Sequence, residues 1–303
     1  MISRLRAYMR VQGRFSMKKK RINFAQFLSL PALALFGVFF VYPLLKGIGM
    51  SLTNWDGMGE AQYVGFKNFA DFFSDARAIQ DIKTTLIFAF GSALLLNLVG
   101  LAYALLMNNH FFGKSIARVI IYLPAMISPL IMGYIWYFLL QPGRGYLHYA
   151  FTQLGLPDLI GNWMSSYPTA LMVLVLVNVW QFAGMTMIIY LAGLQSISSD
   201  VLEAALIDGA SRGQRFMRVT LPLLMPSIRI NVVTNIIGSL SVFDIIMSLT
   251  EGGPGYSTES LSIYIMRMCY GSRTGYSTAV AMILFVIILI PVLISMRLTR
   301  AKN

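Results

Sequence analysis

Six separate stretches of about 20 apolar residues, the length that crosses roughly 30 Å of hydrocarbon, constrain this 303-residue chain more than anything else in it. They lie at about 27–49, 84–107, 117–140, 168–194, 222–249 and 277–297. Lipid offers no partner to a free backbone N–H or C=O, so such stretches fold as helices. The expected fold is all-α: a polytopic transmembrane helical bundle of six spans. A soluble core is excluded on composition, because only 12% of the residues are charged and 57% are hydrophobic, against about 25% charged in soluble domains.

Charge sets the orientation. Arg4, Arg6, Arg10, Arg14, Lys18, Lys19, Lys20 and Arg21 precede the first span with no acid among them. With the N-terminus inside, the inner segments also hold Lys114, Arg118, Arg212, Arg215, Arg218, Arg229, Arg297, Arg300 and Lys302. The outer ones hold Lys46, Lys67, Arg77, Lys83, Arg144, Arg267 and Arg273. That bias predicts N-in, C-in. The net charge of +12 is therefore a topology and lipid-headgroup signal, not a nucleic-acid one. Phe27 to Leu45 is longer than a signal-peptide core of 7–15 residues, so it is expected to stay as an anchor. Trp55, Trp136, Trp163, Tyr42, Tyr134 and Tyr137 fall near span ends, where aromatics anchor a helix at the interface. The expected organisation is a basic cytoplasmic arm (1–26), a first span with its outer loop (27–83), a core of five spans (84–297) and a short cytoplasmic tail (298–303).

Several chemistries are ruled out. Cys269 is the only cysteine, so no internal disulfide forms. His110 and His148 lie in different loops on opposite sides, which makes no metal site. A phosphate-cradling loop needs G-x-x-x-x-G-K-[ST]; Gly113-Lys114-Ser115 is present, but Asn108 stands where the first glycine is required. Catalytic residues and cofactors on this chain are expected to be none.

The inner loop between spans four and five, about 195–221, reads as a small machine part. Ser198, Ser199 and Asp200 offer N-cap oxygens, and Glu203 three residues after Asp200 suggests a capping box. A short helix from about Val201 to Asp208 follows, thinned by Ala204 and Ala205 and ended by Gly209. A second amphipathic piece, about Ser211 to Val219, carries Arg212, Arg215 and Arg218, and Leu221-Pro222 opens span five. On physics alone this is also how an ordinary interfacial helix-turn-helix looks.

The segment Glu203-Ala204-Ala205, Asp208-Gly209-Ala210, Val219, Leu221-Pro222 resembles the EAA loop of ABC importer permeases, with no gap. The resemblance implies that this loop docks on an ATP-hydrolysing subunit. Glu203 would touch the ATPase, Ala204 and Ala205 would allow close approach, Gly209 would make the turn, and Asp208 and Arg212 would flank the contact. Phe243-Asp244, the run Leu249-Thr250-Glu251-Gly252-Gly253-Pro254, and Thr258, Leu261 and Tyr264 resemble the sugar-uptake branch of that family. Tyr42-Pro43, Ser51-Leu52, Gly65-Phe66-Lys67-Asn68-Phe69, Pro124, Trp136 and Gly275-Tyr276 agree, so the likeness covers about 27–297. Gly252, Gly253 and Pro254 also read simply as an outer-loop turn.

The resemblance implies a carbohydrate importer of the bacterial cell membrane, an oligosaccharide importer in particular. Its partners would be a second homologous permease, two ATPase subunits holding ATP and Mg, and an extracytoplasmic solute-binding protein. Glycerol-phosphate and polyol importers belong to the same branch. The rival class is a self-contained secondary transporter, against which the lack of buried acid and histidine relays argues. Polar residues inside spans are costly and face a path or a partner helix. Asn97, Asn178, Gln181, Asn231, Asn235, Ser239, Ser241 and Asp244 are such residues. Trp180 beside Gln181 suits a sugar, with a ring for the apolar face and an amide for hydroxyls. The expected substrate path is Asn178, Trp180, Gln181, Asn235, Ser239 and Asp244. The alternative for each is interhelical hydrogen bonding or, for Asp244, helix termination.

Overall fold

A computed structural model describes residues 29–141, 143–156 and 162–298. The basic arm 1–26 and the tail beyond 298 lie outside the described residues. Everything described is helix or connection, apart from one isolated antiparallel bridge between Thr53 and Tyr63. The chain divides into two compact units, Met1–Gly49 and Met50–Asn303.

The helix Leu30–Ser51 (α1) begins in the first unit and contains a π-turn at Gly37–Val41. Phe39 is 75% exposed and Leu33 60%. A helix apolar all round is what lipid or a partner helix requires.

In the second unit, Lys67–Ser74 (α2) precedes Ala76–Asn108 (α3). Asp75 caps α3 by accepting the N–H groups of Arg77 (2.9 Å) and Ala78 (3.3 Å). The 33 residues of α3 rise about 50 Å, so the helix outruns the hydrocarbon. This is why it starts eight residues before the apolar run at 84. Next come Lys114–Met126 (α4), Pro129–Leu140 (α5) and Tyr146–Gln153 (α6). The long Tyr167–Gln195 (α7) leads to the short Ser199–Ile207 (α8). Arg212–Leu223 (α9), Met225–Leu240 (α10), Asp244–Leu249 (α11), Leu261–Tyr270 (α12) and Thr274–Leu298 (α13) complete the unit.

Among the described residues four helices, α1, α3, α7 and α13, are long and apolar enough to cross a membrane alone; counting each bent pair as one span gives up to six. The third and fifth apolar stretches are not the single helices their hydropathy suggests. The third bends by 98° between α4 and α5. Pro129 has no N–H to continue the ladder and holds Ser128 extended at ψ 134°. The carbonyl freed at Ile127 is bonded by Gln181 Nε2 from α7 at 2.9 Å. Gln181→Leu is expected to destabilise the assembled protein by about 1–3 kcal/mol, the cost of an orphaned buried acceptor. The thermal midpoint in detergent reads it. The fifth stretch bends by 66° between α9 and α10, at buried Leu224. It breaks again after Leu240, where Ser260 Oγ donates to the Val242 carbonyl at 2.8 Å.

Helix α7 packs most extensively on α3, and α10 packs on both. Close approach depends on glycines, as between membrane helices in general. At Gly184 an added Cβ would lie 2.7 Å from Tyr122 Cα and against the Ile121 carbonyl. Trp163 is not an interfacial anchor: it is 5% exposed, and its Nε1 donates to the Leu140 carbonyl at 2.8 Å.

Candidate functional site

Helix α8 has no buried residue. It forms because Ser198 Oγ accepts the Asp200 N–H at 3.2 Å and Asp200 sits in the positive first turn. The helix begins at Ser199, so Asp200 is inside it and makes no capping box with Glu203. The box forms instead at Ser211, whose hydroxyl accepts the Gln214 N–H while Gln214 Oε1 accepts the Ser211 N–H. The end of α8 is a Schellman motif, with the N–H of Ala210 on the Ala205 carbonyl (3.0 Å) and that of Gly209 on the Leu206 carbonyl (3.0 Å). Gly209 takes φ +75°, a conformation open to glycine at little cost.

The surface of this peg is Glu203, Ala204, Leu206, Ile207 and Asp208, with Ala205 half-buried. Ile207 is 87% exposed and Leu206 54%. Among the described residues Glu203 makes no ion pair. Arg212 is exposed on the next turn. The helix continues through Leu221-Pro222 to Leu223, and only then does the hinge at Leu224 lead into α10.

Beyond that hinge lies a polar seam between α7 and α10. Asn231 Nδ2 donates to the Thr186 carbonyl at 3.2 Å, and Asn235 Nδ2 to Thr186 Oγ1 at 3.3 Å. A cavity of about 240 Å³ opens along the seam, and Asn178, Asn235 and Ser239 line it together with Thr186, Asn231 and Thr234. Leu96, Phe182, Met185 and Ile189 supply its apolar surface, and no lining residue is charged.

Trp180, Gln181 and Asp244 stand elsewhere. Trp180 is 48% exposed and meets Trp136 edge-to-face, ring centres 5.3 Å apart. Gln181 is fully buried against the α4–α5 break. Asp244 is exposed and opens α11, where the helix dipole favours an acid. Thr186 and Thr234 escaped the sequence reading because threonine inside an apolar helix carries no distinctive signal. Asn231, Asn235 and Ser239 sit at i, i+4 and i+8, and that spacing is the sign that could have grouped them.

At the other end of α7 the segment Leu249–Leu261 is tightly ordered. Gly252 takes φ +83°, and the Gly253–Pro254 bond is cis. Thr250 Oγ1 lies 3.0 Å from Thr258 Oγ1 and accepts the Gly252 N–H at 3.2 Å. Glu259 is fully buried, 2.8 Å from Arg77 Nε and 3.3 Å from Arg267 Nε. The Tyr256 ring packs on both guanidinium groups, at 3.9 and 4.9 Å. Nearby, burial pushes the Asp75 carboxyl up. The Tyr264 hydroxyl at 2.6 Å, the N–H groups of Ala78 and Arg77, and the charge of Arg273 outweigh it and hold Asp75 below the usual range.

Broken apolar helices, a polar cavity between them and an exposed folded peg at one end suit a membrane component of a transport system. The chain belongs to the binding-protein-dependent transport system inner membrane component family, whose pattern matches residues 96–301. It is 33% identical over 262 residues to the probable starch degradation products transport system permease protein AmyD of Thermoanaerobacterium thermosulfurigenes, covering 86% of this chain and 88% of the relative. It is 30% identical over 288 residues to the trehalose/maltose transport system permease protein MalF of Thermococcus litoralis, covering 95% and 97%. The fold matches a bacterial alginate ABC transporter crystallised with an alginate pentasaccharide-bound periplasmic protein. That match has a TM-score of 0.79 and 28% identity, over 91% of this chain and 93% of the other. Relatives of this kind are permease subunits, so the chain is a membrane component rather than an enzyme.

Proposed function

We propose that this chain is one of two permease subunits in an ATP-driven, binding-protein-dependent importer of carbohydrate, multi-pass in the bacterial cell membrane with both termini inside. A second homologous permease completes the path. Two ATPase subunits, with their ATP and Mg, power it, one of them gripping the peg around Glu203, and an extracytoplasmic binding protein delivers substrate to the opposite face. The single observation that carries the coupling is that α8 is fully folded yet has no fully buried residue, with Glu203, Leu206 and Ile207 all exposed. A nine-residue helix is marginal in water without tertiary support, so a partner groove is what its bare face suits.

The order of parts supports a mechanism. The peg leads through α9 to the hinge at Leu224, and α10 beyond it bears Asn231, Asn235 and Ser239. ATP binding closes the ATPase pair and moves the peg. The motion tilts α10 against α7 and turns the cavity from inward-open to outward-open. Hydrolysis resets it. Coupling requires that loaded binding protein and ATP both favour one state over the other.

The cavity chemistry favours sugar over phosphate esters. Amides and hydroxyls bind neutral polyols, whereas a phosphate calls for arginine or lysine, and neither lines the cavity. The test is uptake by the assembled complex in proteoliposomes. Asn178→Leu and Asn235→Leu are each expected to raise KM for a neutral saccharide by about tenfold or more, because a site built for hydroxyls loses its partners. Unchanged KM in both removes the cavity from the path.

A further inference from the structure

A second concave site lies at the end of the bundle away from the peg. Helix α5 packs directly on α11. A Cβ at Gly133 would lie 2.9 Å from Ser248 Cβ and collide with its hydroxyl, so the helices stand at contact distance. Next to that contact is a cleft of about 280 Å³. Tyr134, Tyr137 and Met164 form one wall, and Ser248 to Glu251 the other.

We propose that this cleft is an outer saccharide subsite, which takes one ring of a neutral oligosaccharide while another ring occupies the cavity at Asn178. The proposal rests on the carbohydrate reading above and adds a length requirement to it.

Three observations carry it. The first is chemistry. Two tyrosine rings offer flat apolar faces with phenol hydroxyls, and Glu251 offers a carboxylate, which accepts hydrogen bonds from sugar hydroxyls. Among the described residues no cation lines the cleft, and Glu251 repels an acidic sugar. The same neutral preference holds in the cavity.

The second is preorganisation. Ser248 Oγ donates to the Asp244 carbonyl at 2.8 Å, and Thr250 Oγ1 to the Ile246 carbonyl at 3.1 Å. Arg267 Nη2 donates to the Glu251 carbonyl at 2.7 Å, while the same guanidinium group pairs with buried Glu259 and packs on Tyr256. Glu251 is thereby held at φ +51°, a conformation rare outside glycine. A wall ordered before the ligand arrives costs little entropy on binding.

The third is position. Met164 lies just before the start of α7, Asn178 lies near its middle, and the peg follows its end. From Tyr167 to Asn178 the helix rises about 16 Å, farther than one sugar ring spans. Spanning that distance takes a chain of several rings, and a disaccharide is too short.

The test uses the whole complex in proteoliposomes, with disaccharide and hexasaccharide pairs of α- and β-linked glucose as probes. The wild type is expected to take up a hexasaccharide at lower KM than its disaccharide. The double substitution Tyr134→Ala, Tyr137→Ala is expected to erase about tenfold of that preference, the loss of ring contacts worth about 1.4 kcal/mol. Glu251→Gln should erase a smaller part. Should the double alanine form fail to assemble, Tyr134→Leu and Glu251→Gln singly read the apolar and polar halves. A length preference absent from the wild type, or one unmoved in variants that still give stimulated ATPase, overturns the subsite and leaves the carbohydrate reading standing. Absence of uptake of every glucan, with stimulation by another class of solute, overturns both.

Discussion

Glu203→Lys is expected to uncouple the transporter. ATPase activity stimulated by loaded binding protein should fall at least tenfold, together with uptake, while the permease still folds and inserts. The reasoning is local. Glu203 is exposed on a helix with no fully buried residue and makes no ion pair among the described residues, so its replacement breaks no ion pair among them. On the proposed docking, reversing its charge would turn a favourable contact in the partner groove into a repulsive one, and like charges brought together at an interface cost several kcal/mol. Gly209→Pro acts on the same part by another route. Proline is fixed near φ −65°, and position 209 stands at +75°. Its missing N–H also deletes the bond to the Leu206 carbonyl. The peg then points elsewhere. Normal stimulation in both variants would take the loop out of the mechanism.

Gly184→Val is expected to have the largest effect on folding. The added Cβ would meet the backbone of Ile121 and Tyr122, at 2.9 Å from the Ile121 carbonyl carbon and 2.7 Å from Tyr122 Cα. Backbone cannot rotate away as a side-chain tip can. Helix α7 must therefore separate from α4 at its closest point, and overpacking of this kind costs about 1–3 kcal/mol or more. Because Gln181 bonds the Ile127 carbonyl one turn away, the shift also strains the bond that seals the α4–α5 break. Little folded complex should be recovered from membranes, and what is recovered should melt several degrees lower. Gly213→Val is the control, because nothing lies within 4 Å of a Cβ there, and it should purify normally.

The apolar stretches were legible because hydropathy sums over a window, and summing is what locates a stretch in lipid. The same summing hides breaks. Pro124 and Pro129 stood in plain view inside the third stretch, yet they barely lower its mean hydropathy. The break at Ser241–Phe243 carries neither glycine nor proline; it depends on Ser260, eighteen residues on in sequence, bonding the Val242 carbonyl. The peg was readable to within a residue or two because caps and a left-handed glycine are local chemistry. Trp180 and Gln181 illustrate the opposite. Neighbours in sequence stand about 100° apart on a helix, so one faces outward while the other is buried. The cluster at Glu259 was out of reach, since its partner Arg77 is 182 positions away and no periodicity links them.

Whether a separate ATPase grips α8 is decided by cross-linking. Cys269 is exposed, so the measurement starts from Cys269→Ser and adds Glu203→Cys alone. Purified with its partners, position 203 should cross-link to the ATPase subunit with and without nucleotide, and should be shielded from maleimide in the complex but not in the isolated permease. Full labelling in every nucleotide state, with no cross-link and with transport intact, would mean that no ATPase grips this helix.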